Sequence, residues 1–357
     1  EQNPEDWWTH IKNACSSVKE TASEAYKSVS AIGISYQMHG LVLLDKNKQV
    51  LRPSIIWSDS RAVPYGEKAF KDIGEEECLR KLLNSPGNFT AAKLAWVKEN
   101  EPDIYEKIFK MMLPGDYIAF RLSGEICTTP SGVSEGILWN AEEDKPAGFL
   151  MDYFGFSKDF LPEIKPTFSV HGELISEAAD ELGLQKGIAI SYRAGDQPNN
   201  AFTFNVLNPG EMAATAGTSG VVYSISAEPS YDKKSRVNTF VHVNYSSDQR
   251  RYGILLCLNG TGILNRWIKQ NLSGDMSYEE LNEAASQAPI GSKDLVFLPY
   301  GNGAERTLEN KDPGALIEGL NFNIHEFSHL VRAGQEGIVF ALRYGMEIMR
   351  EMGVEVR

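Results

Sequence analysis

Apolar positions along the chain fall into blocks with two different periods. From Asp6 to Ala31, Trp8, Ile11, Ala14 and Val18 recur at three- and four-residue spacing, which predicts one helix with an apolar stripe. Ala31–Tyr36 then reads as a buried strand. Leu41–Asp45 and Gln49–Leu51 flank the polar Lys46-Asn47-Lys48 as a hairpin, and Ser54–Trp57 has the length of a further short strand. Helical patterning covers Glu67 to Ile108, broken at Pro86-Gly87. Ile188–Tyr192 predicts a strand ending in the turn Arg193-Ala194-Gly195-Asp196; Asn199–Leu207 follows, then a break at Pro209-Gly210. Beyond Glu211 the texture changes to strands at Met212–Ala216, Gly220–Ser226, Val237–Val243 and Tyr252–Leu258. Helices return at Gly262–Gln270, Tyr278–Gln287 and Ile324–Met352. Strands interleaved with helices twice over predict an α/β architecture with two sheet-centred domains, 1–208 and 209–357.

Composition agrees with that division, because 357 residues exceed one ordinary core. With 42% hydrophobic and 23% charged residues the balance is that of a globular protein, and no run approaches the length of a membrane helix. The acidic, polar opening Glu1–Asp6 does not resemble a secretory signal, so a cytoplasmic protein without a membrane partner is expected. A net charge of −13 argues against a nucleic-acid partner, though not against a nucleotide substrate, which needs only local donors. Cys15, Cys78, Cys127 and Cys257 are too scattered for a CxxC pair and read as reduced thiols. His325-Glu326-Phe327-Ser328-His329 matches HExxH, but no third ligand follows at the required spacing, so no metal site is expected.

Four further stretches carry candidate chemistry. Gln37-Met38-His39-Gly40 directly follows a strand, where residues of α/β sheets often face a ligand; its imidazole suits sugar hydroxyls, or equally a backbone contact within a turn. In Trp57-Ser58-Asp59-Ser60-Arg61 an indole and two charges suit a polyol, and a surface ion pair fits the spacing as well. Gly195-Asp196 puts a carboxylate after a strand, either as a proton acceptor for an attacking hydroxyl or as a helix cap. Thr215–Gly220 is a turn of small and hydroxylated residues whose amides suit phosphate, or an ordinary hairpin; no Walker GxxxxGK[ST] occurs.

Taken in order, these stretches resemble the FGGY family of carbohydrate kinases, and within it the branch that phosphorylates xylulose. The resemblance spans QMHGLVLLD…LRPSIIWSDSR (Gln37–Arg61), LAWVKENEPDIYEKI…LPGDYIAFRLSGE (Leu94–Glu125), Ala194–Asn200, Thr215–Gly220, LPYGNGAERT (Leu298–Thr307) and RAGQEGIVFALR (Arg332–Arg343). It implies two ribonuclease-H-like domains of the actin and sugar-kinase superfamily with a cleft between them, ATP and Mg²⁺ as co-substrates, and a ketopentose acceptor, D-xylulose first. Met38, His39, Trp57 and Asp59 would bind the sugar together with Gln197, Asp196 would be the general base, and Gly217, Thr218 and Ser219 would face the ATP phosphates. Three departures stand out: Gln197 where many members have Asn, Asn302-Gly303-Ala304 ahead of Glu305, and the family's first and last phosphate- and adenosine-holding loops lying outside 1–357. Gluconate or another pentulose as substrate, a non-catalytic sugar-binding relative, and a homodimer remain open alternatives.

Overall fold

The strand predicted at Ala31–Tyr36 forms. It lies parallel to Ala189–Gly195, which pairs on its other side, antiparallel, with Phe168–Glu173. Its burial alternates, with Ile34 and Tyr36 buried and Ala31, Gly33 and Ser35 exposed, rather than being buried throughout. Ile34, Tyr36 and Ile190 join Trp8, Tyr117, Leu122, Ala178 and Leu182 in one core. The helices Pro4–Thr21, Pro114–Ser123 and Ser176–Leu182 thus bury their apolar sides with this sheet. Each fully buried aliphatic or aromatic side chain of that set contributes about 1.5–3 kcal/mol of transfer free energy.

In this computed structural model, which describes residues 1–355, the chain divides into two compact units. The first holds Glu1–Leu207 with Ala227–Pro229 and Phe240–Gly253, and the second holds the remainder. Met212–Ala216, Gly220–Ser226, Tyr252–Leu258 and Asn238–Val241 lie in that order in a four-stranded sheet. The 25-residue helix Phe327–Glu351 serves two cores. Val331 and Ala333 pack with Leu264, Ile268 and Phe297, whereas Ile348 and Met349 pack with Val222, Ile254 and Leu256. Close approach is possible because the helix presents glycine: a β-carbon on Gly337 would lie 1.8 Å from the Phe297 carbonyl oxygen, and one on Gly345 2.0 Å from a Leu256 methyl.

Several local expectations are corrected. The first helix ends at Thr21, and a separate short helix spans Ser23–Lys27. Thr21 Oγ1 bonds back to the Ser17 and Val18 carbonyls, and Ala22 adopts a non-helical φ of −138°. Ser54–Trp57 is no strand; Ser54 and Ile55 make only isolated bridges, to Gln2 and Leu41. The turn at Asp45–Gln49 closes as expected, but Val42–Leu44 finds its main partner in Lys110–Met112. Arg193-Ala194-Gly195 belongs to the strand Ala189–Gly195, and Asp196 opens the helix Asp196–Thr203 directly, with no turn between.

Candidate active site

Parallel pairing puts the ends of two strands side by side. Tyr36 is opposite Gly195, so Gln37–Gly40 and Asp196-Gln197 leave the same end of the sheet as neighbours. Ligands of α/β sheets collect at such carboxyl ends. The approach is tight: a β-carbon on Gly195 would meet Met38 Cγ at 2.4 Å and Glu135 Oε2 at 2.5 Å. Met38 is accordingly buried, as part of the wall behind Asp196.

His39 takes a left-handed backbone conformation, φ 63°, that few non-glycine residues adopt. It is held from several sides. Its N–H donates to Glu135 Oε1 at 3.3 Å and its carbonyl accepts from the Lys93 ammonium at 2.7 Å. The ring lies edge-on to Phe89 at 4.7 Å and tilted against Phe240 at 5.5 Å. Nδ1 sits 2.8 Å from the Glu135 carbonyl oxygen, which can only accept, so Nδ1 carries the proton. In the neutral ring Nε2 is then the acceptor, the form that suits a hydroxyl donor.

Asp196 is partly buried in the first turn of its helix. Burial pushes its carboxyl above the usual range, while bonds from Gln197 pull the other way. The Gln197 N–H donates to Oδ1 at 2.9 Å and its side-chain amide to Oδ2 at 3.0 Å. The longer glutamine side chain can fold back onto the carboxylate beside it, so here the amide is spent on Asp196.

The Trp57–Arg61 stretch splits in two. The Trp57 side chain is 60% exposed, leaving an indole face open. Asp59 is closed onto Arg61, whose Nε and Nη2 donate to its carboxylate at 2.9 and 2.7 Å; these bonds, led by the side-chain contact, hold the carboxyl below the usual range. Arg61 also reaches Glu1 at 2.6 Å and lies 4.6 Å over the Trp96 ring. The pair is thus one corner of a charge network, not two separate groups.

In the second unit, Gly217-Thr218-Ser219 forms the turn between paired Ala216 and Gly220. The carbonyls of Gly217 and Thr218 accept from Gly262 and Ile263 at 3.1 and 3.0 Å, at the head of the helix Gly262–Leu272. That helix start is therefore taken by the turn itself, and the Gly217–Thr218 edge is left exposed. Gly262 is required here, because a β-carbon would lie 2.1 Å from the Gly217 oxygen. The Asn302-Gly303-Ala304 insertion is stitched to Asn259, whose amide bonds the Ala304 carbonyl at 2.8 Å while its N–H bonds buried Glu305 at 2.9 Å.

Sequence reasoning missed Lys93, Glu135, Asp116 and Arg193. All four are nearly or wholly buried, and Arg193 pairs with Asp116 at 2.9 Å. Burial lowers the Lys93 ammonium to about 8 against the attraction of Asp59 and Glu135. A signal existed: Lys93 is the only charge in Thr90–Val97, a run otherwise made of Ala, Leu, Trp and Val after Thr90. The HExxH histidines are placed by backbone: His325 Nε2 contacts the Lys293 carbonyl at 2.9 Å, and His329 Nδ1 accepts from the Glu326 N–H at 3.1 Å. His325 and Glu326 precede the helix, so the two imidazoles do not lie on one helical face. A cavity of about 730 Å³ lined by Lys48, Arg52, Tyr117 and Arg121 holds none of the candidate residues.

The chain belongs to the FGGY family of carbohydrate kinases, whose N-terminal domain matches residues 1–203 and whose C-terminal domain matches 212–357. It is 32% identical to the xylulose kinase of Bacillus subtilis over 363 residues, covering 100% of this chain and 70% of that protein. With the xylulose kinase of Escherichia coli it is 29% identical over 356 residues, 99% of this chain and 71% of the relative. The crystal structure of xylulose kinase from Rhodospirillum rubrum superposes with a TM-score of 0.89 at 25% identity, over 100% of this chain and 72% of that one. The two-domain sugar-kinase fold expected from the sequence is thereby established.

Proposed function

We propose that the chain transfers the γ-phosphoryl group of ATP to D-xylulose in the cytoplasm, giving D-xylulose 5-phosphate and ADP. The supporting observation is the pairing of Tyr36 with Gly195, which sets the His39 loop beside Asp196. Asp196 accepts the proton of the attacking sugar hydroxyl; that oxygen bonds to the γ-phosphorus as the bond to the β-phosphate oxygen breaks. His39 Nε2 and the Met38 wall hold the sugar, Trp57 offers its exposed face to the sugar's C–H surface, and Asp59 acts through its Arg61 pair. Gln197 orients the Asp196 carboxylate and turns toward the sugar when it binds. Gly217, Thr218 and Ser219 receive the phosphates. Mg²⁺ would enter as part of the nucleotide substrate, neutralising phosphate charge.

Two measurements test this. A panel of D-xylulose, D-ribulose, L-ribulose, gluconate and glycerol with ATP should give the highest kcat/KM for D-xylulose; a preference for gluconate would reassign the substrate. Asp196→Asn should lower kcat by about 100-fold or more with sugar binding retained, as for loss of a general base. Turnover near wild type would remove Asp196 from that role.

A further inference from the structure

Glu135 ends the short helix Pro130–Glu135, nearly 100 residues from His39 in sequence, yet touches it twice. Its carboxyl Oε1 accepts the His39 N–H at 3.3 Å, and its own carbonyl accepts the ring Nδ1–H at 2.8 Å. The side chain is 1% exposed, and Oε2 lies against Gly195, beside the start of Asp196, with the buried Tyr36 hydroxyl as a further neighbour of the carboxyl. A buried carboxyl is costly unless it is neutral or paired for a purpose. Burial, with Asp196 and Asp116 nearby, does push this carboxyl well above the usual range. Lys93 completes the frame by holding the His39 carbonyl at 2.7 Å. The left-handed His39 backbone is a conformation that persists only where the surroundings impose it, and Glu135 is the residue that reaches both its backbone and its ring.

We propose that Glu135 is the positioning residue of the sugar site: its side chain fixes the strained His39 backbone and its carbonyl fixes the imidazole tautomer, so that Nε2 is presented as an acceptor for a sugar hydroxyl. The inference rests on the proposed sugar-kinase function and assigns Glu135 no contact with ATP. What matters is an acceptor of the right length, not a negative charge.

The test compares side chains of equal length. Sugar dissociation constants are measured by calorimetry with D-xylulose, or with the panel sugar that wild type prefers, alongside KM for sugar and for ATP. Glu135→Met removes the acceptor without leaving a large cavity; it should weaken sugar binding about tenfold while the KM for ATP stays within about twofold. Glu135→Gln keeps an acceptor oxygen at the same reach and should stay within about threefold of wild type for sugar. If Glu135→Met does not fold, Glu135→Asp replaces it, since its carboxyl is drawn back by about one bond length, roughly 1.5 Å; it must then bind sugar more weakly than Glu135→Gln. Equal effects on sugar and ATP, or a Gln variant as impaired as Met or Asp, would overturn the proposal. A wild-type chain that binds no sugar of the panel would instead overturn the functional reading on which it rests.

Discussion

Asp196 and Gln197 show how two neighbouring residues set one acidity. Burial raises the carboxyl, and the Gln197 side chain and backbone partly offset it. A general base works only when ionised, so activity falls as pH drops through its pKa. The acid limb of kcat/KM for sugar should therefore lie above the ordinary aspartate value of 3.8. Gln197→Ala removes the side-chain bond that favours the ionised form and should move that limb to higher pH. A pH–rate profile with an acid limb below 3.8, or one unmoved in the variant, would contradict this. The position of Asp196, the proposed base, was legible in the sequence as a carboxylate following a strand. The fold-back of Gln197 was not, nor were Glu135 and Lys93, because their contacts with His39 span 96 and 54 residues and no local pattern encodes them.

At the scale of elements, period was a good guide and buried charge a poor one. The strands Met212–Ala216, Gly220–Ser226 and Tyr252–Leu258 and the helix Tyr278–Gln287 follow their apolar spacing closely. The segment Arg193-Ala194-Gly195 reads as a turn from its composition, yet the strand continues through it. It can do so because the Arg193 guanidinium is buried against Asp116 and the Cys127 carbonyl, an arrangement that only the tertiary fold supplies. Glycine in the long helix Phe327–Glu351 has a similar tertiary reason. By helix propensity alone, Gly337→Ala should stabilise by about 1 kcal/mol. Its β-carbon would, however, overlap the Phe297 carbonyl at 1.8 Å, which is backbone and cannot swing aside. The overlap should dominate, giving a net loss of about 1–3 kcal/mol in urea denaturation with helical content preserved. A stabilised variant would mean that helix and strand can separate at no cost.

Acid should act on the molecule as a whole through two histidines of the first unit. His171 and His242 are buried with Nε2 on the carbonyls of Pro166 and Val206, at 2.9 and 3.2 Å, and burial lowers each to about 4. Unfolded, they would titrate near 6.5. Between those values the unfolded chain binds more protons, so stability falls as pH falls through that window. From pH 7 to pH 5 each should cost on the order of 1–2 kcal/mol. Melting curves should show that loss, and it should shrink when His171 and His242 are each replaced by Gln. The parallel pair Ala31–Tyr36 and Ala189–Gly195 has a consequence for how such chains change length over time. The pair already shifts register once, between Ile32 and Gly33, early in the strand. One more residue gained or lost after that point would slide Asp196 by about 3.3 Å along the sheet and reverse the side to which its carboxylate points. Indels should therefore be tolerated at the exposed Lys46-Asn47-Lys48 turn and lethal to function in the few residues leading to Tyr36 and Gly195.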